Sequence, residues 1–340
     1  VKAVVLQRHG GPEVLEYREW PTPAPGPGET LVRVQAVALN HRDLWVRRGQ
    51  RERDLPRILG MDIAGTVAAL GPGVTGWEIG QPVVLLPTLT CGRCRFCVAG
   101  QDNACRSLTF LGGGRDGGYA EYVVVPAHNL FPQPPGLTPI EAAALPVTFL
   151  TAWHGLVSRA RLRPGETVFI WGASSGLGSA AIQIARFLGA RVITTAGTPE
   201  KARRAWDLGV DAVIIYRTED VVTAVRRLTD NAGVDVVLDH VGGATFAQSL
   251  ALLGRRGRLV LAGATTGDQL SLTGTALFFN NQEVHGILIG TRAEFGALLA
   301  LAGRAGLRPV IDRVYALPEA VAAHQRLEKG EHFGKIVLVP

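Results

Sequence analysis

All four cysteines of the chain fall within fifteen residues, as Cys91-x2-Cys94-x2-Cys97-x7-Cys105. Four soft thiolates in one loop suit a tetrahedral Zn²⁺ with no open coordination position, the mark of a structural rather than a catalytic site. Gly92 and Gly100 let such a loop curl until the sulfurs converge. Thiolates repel one another, so a central cation relieves the strain of gathering them. An iron–sulfur cluster and a redox pair are the alternatives, but the spacing departs from ferredoxin runs. A disulfide role fits poorly with a chain that reads as cytosolic. The expectation is one structural zinc per chain, held by Cys91, Cys94, Cys97 and Cys105 in a lobe spanning 88–110.

A second group of residues could hold a dinucleotide. The short apolar run Thr167–Gly172 leads through Ala173-Ser174-Ser175-Gly176-Leu177-Gly178 into a segment with Leu177, Ala181, Ile184 and Leu188 at helical spacing. A turn of this kind sets free backbone N–H groups and the positive end of a helix against a pyrophosphate. Glycine turns alone are weak evidence, but here strand, turn, helix and next strand all fall within about 30 residues. That next strand ends Thr194-Thr195-Ala196-Gly197-Thr198, where an NAD-selective site carries Asp or Glu for the ribose hydroxyl. Ala196 cannot accept that bond and leaves room for a 2′-phosphate. Lys201 and Tyr216-Arg217 offer donors to it, although a surface helix charge explains Lys201 or Arg217 equally well. The expectation is NADP(H) preferred, with NAD(H) possible.

These groups need elements to position them. Val1–Leu6, Glu29–Ala38, Gly65–Leu70 and Pro82–Leu86 are apolar or alternating runs broken by Pro21–Pro27 and Gly71–Gly73, the texture of a β-barrel or sandwich. From about Arg163 strands alternate with helices: strand Arg191–Ala196, helix Pro199–Leu208, strand Ala212–Tyr216, helix Glu219–Leu228, then strands Val234–Asp239, Arg258–Gly263 and Val284–Gly290. Alternation of this kind implies right-handed βαβ units on a parallel sheet. Val310–Leu317, Pro318–Glu328 and Lys335–Val339 return to mixed texture and are expected to rejoin the N-terminal part. The fold class is therefore α/β in two domains, one of them discontinuous: 1–147 with 291–340, and 148–290.

The 340 residues are 47% hydrophobic and 19% charged, which excludes a disordered chain. No apolar run approaches the roughly 20 residues of a membrane helix and no signal-peptide pattern opens the chain, so a cytoplasmic protein without membrane contact is expected. The net charge of +6 is scattered in doublets such as Arg203–Arg204, Arg226–Arg227 and Arg255–Arg256, with no basic stripe interleaved with aromatics. Nucleic acid is therefore not an expected partner. A positive field does favour an anionic small molecule such as a phosphorylated cofactor.

Taken together, the cysteine spacing, Gly117-Gly118-Tyr119-Ala120-Glu121-Tyr122, Thr151-Ala152-Trp153 and the nucleotide turn resemble the medium-chain dehydrogenase/reductase superfamily, over essentially the whole chain. The resemblance implies a GroES-like β-barrel domain beside a Rossmann domain, with the active site in the cleft between them, and a homodimer or homotetramer. It extends the cofactor-binding set to Thr148, Ser174, Ser175, Gly176, Leu177, Gly178, Thr198, Lys201, Tyr216, Gly263, Ala264 and Lys335. Ser175 replaces a glycine of the pattern, so its hydroxyl is expected to bond the pyrophosphate.

The catalytic-zinc pattern of the family is missing. Where zinc-dependent members carry their ligands this chain has Asn40, Met61 and Val147, none a zinc ligand, and Arg42 stands where a proton-relaying hydroxyl is usual. Asn40 and Ala196 look like the zinc-independent quinone-oxidoreductase branch. Asn40 and His41 are the expected catalytic residues, as hydrogen-bond donors, with simple packing the competing role for His41. Asp43 and Asp62 are expected to satisfy arginines or backbone N–H groups. His240 and His285 beside strand ends are expected to be structural, and His154 is expected at the start of a helix. The implied function is NAD(P)H-dependent hydride transfer to a quinone or conjugated carbonyl. The alternatives are an alcohol dehydrogenase on small alcohols and aldehydes, with a rebuilt metal site or another polarising group, and a non-enzymatic nucleotide-binding protein.

Overall fold

A computed structural model of the chain describes residues 1–51 and 54–340. They form two compact units, Val1–Val147 with Thr291–Pro340, and Thr148–Gly290.

In the first unit, β1 (Lys2–Leu6), β2 (Leu15–Glu19) and, after β3 (Glu29–Ala38), β4 (Arg57–Ile58) supply a three-stranded sheet in the order β2-β1-β4. The larger sheet is built on β3, β5 (Asp62–Leu70) and β6 (Pro82–Leu85), continued by β7 (Thr88–Leu89) and β8 (Thr109–Phe110) as a separate ribbon, then β9 (Tyr122–Pro126) and β10 (Leu130–Pro132). Between β3 and β4 lies helix α1 (His41–Arg47), and the cysteine loop carries the single turn α2 (Arg95–Val98). Pairing of β3 with β5 is antiparallel and sets Ala38 opposite Asp62. Gly65 is required there, since a Cβ would lie 2.1 Å from the Arg33 carbonyl oxygen. Alternate apolar residues of β3, Val32, Val34 and Ala36, are buried in the sheet core.

The second unit holds six strands, β11 (Thr167–Ile170), β12 (Arg191–Ala196), β13 (Ala212–Ile215), β14 (Val234–Asp239), β15 (Leu253–Leu261) and β16 (Glu283–Gly286). All pair in parallel, in the order β13-β12-β11-β14-β15-β16. Their centres are apolar on both faces, as with Val168, Phe169 and Ile170, which a sheet covered by helices on both sides requires. The strand order reverses between β11 and β14, the switch point at which such sheets take a ligand. The crossovers include α5 (Gly176–Phe187), α6 (Pro199–Trp206) and α7 (Val221–Leu228), after α3 (Pro139–Ala143) and α4 (Pro146–Trp153) earlier in the chain. This is the expected α/β class, a GroES-like unit and a Rossmann-type sheet.

The chain then returns to the first unit. β17 (Ile311–Ala316) and β18 (Lys335–Val339) pair in parallel, and β18 docks antiparallel on β3, completing the order β10-β6-β5-β3-β18-β17 with β9 also on β3.

Several local expectations shift; the strand expected at Arg258–Gly263 runs from Leu253 to Leu261. Helix α7 starts at Val221 because Asp220 caps it, accepting from the Thr223 amide at 2.8 Å. His154 does not open a helix: α4 begins at Pro146, whose missing N–H costs nothing in a first turn, and His154–Arg159 is its widened continuation. The last parallel strand ends at Gly286, four residues early, and Ile289 beyond it has φ of 45°. No helix among the described residues is long and apolar enough to cross a membrane.

Candidate functional site

The four cysteines converge. Their sulfurs all lie within 4.8 Å of one another, with Cys94–Cys97 at 3.6 Å, Cys91–Cys105 at 3.5 Å and Cys91–Cys97 at 4.0 Å. A Zn–S length of about 2.3 Å requires sulfurs about 3.8 Å apart, so the cage fits a tetrahedral zinc. Gly92 and Gly100 take φ of 68° and 71°, which the curl of the loop requires. Backbone N–H groups of Cys91 and Ser107 both reach the Cys105 sulfur at 3.4 Å, second-layer bonds that steady a thiolate. Backbone N–H groups, chiefly that of Cys97, draw the Cys94 thiol down to about 6, whereas burial and the neighbouring sulfurs push Cys97 up to about 12. Without a cation the cluster cannot all ionise together, so the donor set calls for one. No other cluster of three metal-ligating side chains occurs among the described residues.

At the dinucleotide turn, Gly172 has φ of 64°, and Ser175 caps the twelve-residue α5. The Ser175 hydroxyl accepts from the Gly178 amide at 2.8 Å and donates to the Gly172 carbonyl at 2.9 Å. Its proton is thus spent on shaping the turn, a different task from the pyrophosphate bond anticipated above. A Cβ at Gly178 would lie 2.1 Å from the Gly172 oxygen, which explains the glycine. Ser174, Gly176 and Leu177 surround this helix start. Gly263 and Ala264 follow β15, at the same carboxyl end of the sheet, and Gly263 packs so closely on the His240 carbonyl that a Cβ would come within 2.7 Å.

The next strand end is equally compact. Ala196 is buried, Thr198 caps α6 by accepting from the Lys201 amide at 3.2 Å, and the Tyr216 amide donates to the Ala196 carbonyl at 3.2 Å. The Tyr216 phenol lies over Gly197, 2.8 Å from where a Cβ would stand. Ala196, Thr198, Lys201 and Tyr216 are therefore brought together, with Tyr216 about half exposed. Thr148 is buried on α4.

Lys335, by contrast, belongs to the first unit, where its ammonium joins Asn40. Asp62 is the hub of that cluster. One carboxylate oxygen accepts from the Val147 amide at 2.9 Å; the other accepts from the Asn40 Nδ2 at 2.9 Å and the Lys335 Nζ at 2.9 Å. Of the positions that the family resemblance gives to zinc ligands, Asn40 reaches Asp62 with its side-chain amide and Val147 with its backbone N–H, while the Met61 thioether is buried in the apolar core. The donor set does not fit a zinc. Asp62 satisfies a backbone N–H, that of Val147, as expected, but its charged partner is Lys335, 295 residues from Asn40 in the chain, and not an arginine.

His41 opens α1. Burial, helped by the positive charges of Arg48 and Lys335, holds its imidazole below the ordinary value, so it is neutral at pH 7 and offers one ring N–H.

Beneath α1 runs a chain of buried polar groups, of which the sequence pattern marks only the Tyr119 motif and Asp43. Arg47 Nη1 donates to His324 Nδ1 at 3.0 Å, which leaves the proton on Nε2 to reach the Tyr119 oxygen at 3.1 Å. The Tyr119 hydroxyl donates to Asp43 at 3.3 Å, and Asp43 also accepts from the Asn40 amide at 2.8 Å and the Gly60 amide at 3.3 Å. Arg47 also pairs with Glu328. The signal for His324 was its place in helix α11 (Ala320–Glu328), beside Ala320, Ala323 and Leu327 on the buried face; α10 (Arg292–Ala305) precedes it, after α8 (Phe246–Leu252) and α9 (Gly274–Asn280).

Comparison with known proteins agrees with this architecture. Residues 26–135 match the alcohol dehydrogenase GroES-like domain and residues 176–304 the family described as zinc-binding dehydrogenase. An NAD-dependent alcohol dehydrogenase of Sulfolobus acidocaldarius is 34% identical over 99% of this chain and 99% of its own. A solved structure described as an NAD-dependent alcohol dehydrogenase is 44% identical, with a TM-score of 0.96 and 100% of both chains covered. A mycobacterial quinone oxidoreductase is 33% identical, with a TM-score of 0.82 over 100% of this chain and 99% of that one. The chain belongs to the medium-chain dehydrogenase/reductase superfamily. Within that superfamily it is an enzyme of the oxidoreductase class.

Proposed function

We propose that this oxidoreductase carries one structural zinc in the Cys91–Cys105 lobe and reduces a quinone or conjugated carbonyl with no catalytic metal. The observation that carries the reading is the Asp62 hub, where an amide, a core thioether and an alkyl side chain stand in the positions of zinc ligands, and where the carboxylate is already neutralised by Lys335. A bound nicotinamide supplies the hydride. Residues of the turn and strand ends hold that cofactor: Ser174 to Gly178 at the pyrophosphate, Thr198, Lys201 and Tyr216 at the adenosine ribose, with Thr148, Gly263 and Ala264 completing the set. Ala196 in place of an acidic residue, beside Lys201 and Tyr216, supports NADP(H) as the preferred form and NAD(H) as an accepted one.

Asn40 and His41 act as neutral hydrogen-bond donors to the substrate oxygen. Conjugation spreads the negative charge of the arriving hydride onto that oxygen, and each preorganised donor is worth about 3 kcal/mol there. The enolate or hydroquinone anion then takes a proton from water. An unactivated ketone gains less, because its charge needs a stronger polarising group. The edge strand β16 and the exposed side chains of Phe278, Phe279 and Leu288 support assembly as a dimer or tetramer.

The names of the relatives favour a second reading, oxidation of a small alcohol with a metal. The two separate cleanly when NADPH and NADH turnover is measured on quinones, enals and primary alcohols, with metal content determined on the same protein. One zinc per chain and chelator-resistant reduction of an enal or quinone are expected. Two zincs per chain, with alcohol oxidation lost on chelation and restored by zinc, would establish the second reading instead.

A further inference from the structure

The partners of Lys335 have a consequence beyond charge neutralisation. Lys335 begins β18, Asn40 follows β3 and Asp62 begins β5, and these strands are neighbours in the order β5-β3-β18. Ala38 pairs with Asp62 on one side and Val337 on the other, so the sheet register itself brings the three side chains together. The ammonium donates to the Leu39 carbonyl at 2.7 Å, Asn40 Oδ1 at 2.8 Å and Asp62 Oδ2 at 2.9 Å. All three of its hydrogens are therefore used within the protein.

An ammonium accepts no hydrogen bond, so the Asn40 atom facing it has to be the amide oxygen, and the NH2 end has to face Asp62. One hydrogen of that NH2 goes to Asp62 at 2.9 Å. The other has, among the described residues, only the Ala38 carbonyl, at 3.5 Å, the outer limit of a hydrogen bond. Asn40 also keeps the most surface of the trio, 9% against 4% for Lys335 and 0% for Asp62. A weakly held donor thus sits on the most exposed member of the trio.

We propose that Lys335 is a positioning residue that acts through Asn40. It locks the amide in one orientation, and by drawing on the amide oxygen it strengthens the N–H offered to the substrate oxygen. The inference rests on the reading of Asn40 as a donor to the carbonyl. It assigns Lys335 a different task from cofactor contact, and the two tasks have different kinetic signatures.

Truncating Lys335 alone leaves the Asp62 carboxylate buried and uncompensated, and such a variant can fail to fold. The test is therefore the double variant D62N/K335M, which removes both charges at nearly constant volume. Its melting temperature reports folding. The expected result is kcat lowered at least tenfold with the cofactor KM unchanged. In K335A, ethylammonium added to the assay should restore part of kcat. A double variant with wild-type kcat, or one altered only in cofactor KM, overturns the proposal.

A second readout does not depend on turnover. The chain has six asparagines, so a protein labelled with [15N]asparagine gives a sparse spectrum in which N40A identifies the Asn40 side chain. Two well-separated amide protons with slow exchange are expected in the wild type, and a narrowed splitting with at least tenfold faster exchange in D62N/K335M. Unchanged Asn40 signals in the variant overturn the proposal even if the wild type reduces no conjugated carbonyl, an outcome that defeats only the functional reading.

Discussion

Asp43 and His324 are fully buried, joined through Tyr119, and titrate in opposite senses. Burial raises the Asp43 carboxyl to about 6 in the folded state, against the amides of Asn40 and Gly60 and the charge of Lys335 that favour its ionised form. Burial, then the Arg47 charge, lowers His324 to about 3. A carboxyl whose folded pKa is raised binds its proton more tightly when folded, so its contribution to stability falls as pH rises from about 4 to 6. An imidazole whose folded pKa is depressed contributes fully above about 6.5, and that contribution is lost as pH falls toward 3. Between pH 6 and 4 the folded state holds one extra proton on Asp43 while the unfolded state holds one on His324. The two nearly cancel. Removing either one exposes the other, at a tenfold change in the folding constant per pH unit, or about 3 kcal/mol across the window. Relative to wild type, Asp43→Asn should lose stability on acidification from pH 6 to 5, and His324→Gln should gain it. Urea midpoints of the three proteins at both values read this directly, since the remaining groups and the four-cysteine lobe are common to all. Parallel pH dependences in the three proteins, or slopes of the same sign in both variants, would refute the network as drawn.

Three further outcomes follow from the same geometry. Cys94→Ser should lower zinc content from about one per chain and loosen the 88–110 lobe, while dinucleotide binding measured by nicotinamide fluorescence persists. Gly178→Ala should abolish that binding or weaken it more than tenfold, because the new methyl group would meet the Gly172 oxygen at 2.1 Å; a variant with wild-type affinity would show that the turn has another use. Lys201→Ala should reduce the preference for NADPH over NADH by about tenfold, the worth of roughly one charge-assisted bond, as measured by paired titrations.

What the amino-acid sequence determined on its own was whatever depends on neighbours in the chain. Four cysteines within fifteen residues converge because a short loop with glycines can bring them nowhere else. The strand, glycine turn and helix of residues 167–187 are legible for the same reason, as is the alternation that makes the second sheet parallel. The exact ends of elements were less so, because caps such as Asp220 and the helix start at Pro146 decide them by single bonds. Ser175 was seen as a departure from a pattern, but only its two distances showed that the hydroxyl serves the turn itself. That the residue types at Asn40, Met61 and Val147 are not zinc ligands was readable position by position. What replaced them was not. Lys335 meets Asn40 and Asp62 only because β18 inserts between β3 and β17, and His324 meets Tyr119 only because α11 turns a polar residue inward from an otherwise apolar face. Contacts of that kind arise when sheet register and helix packing bring distant segments together, and a buried charge then has to find its partner among whatever the fold delivers.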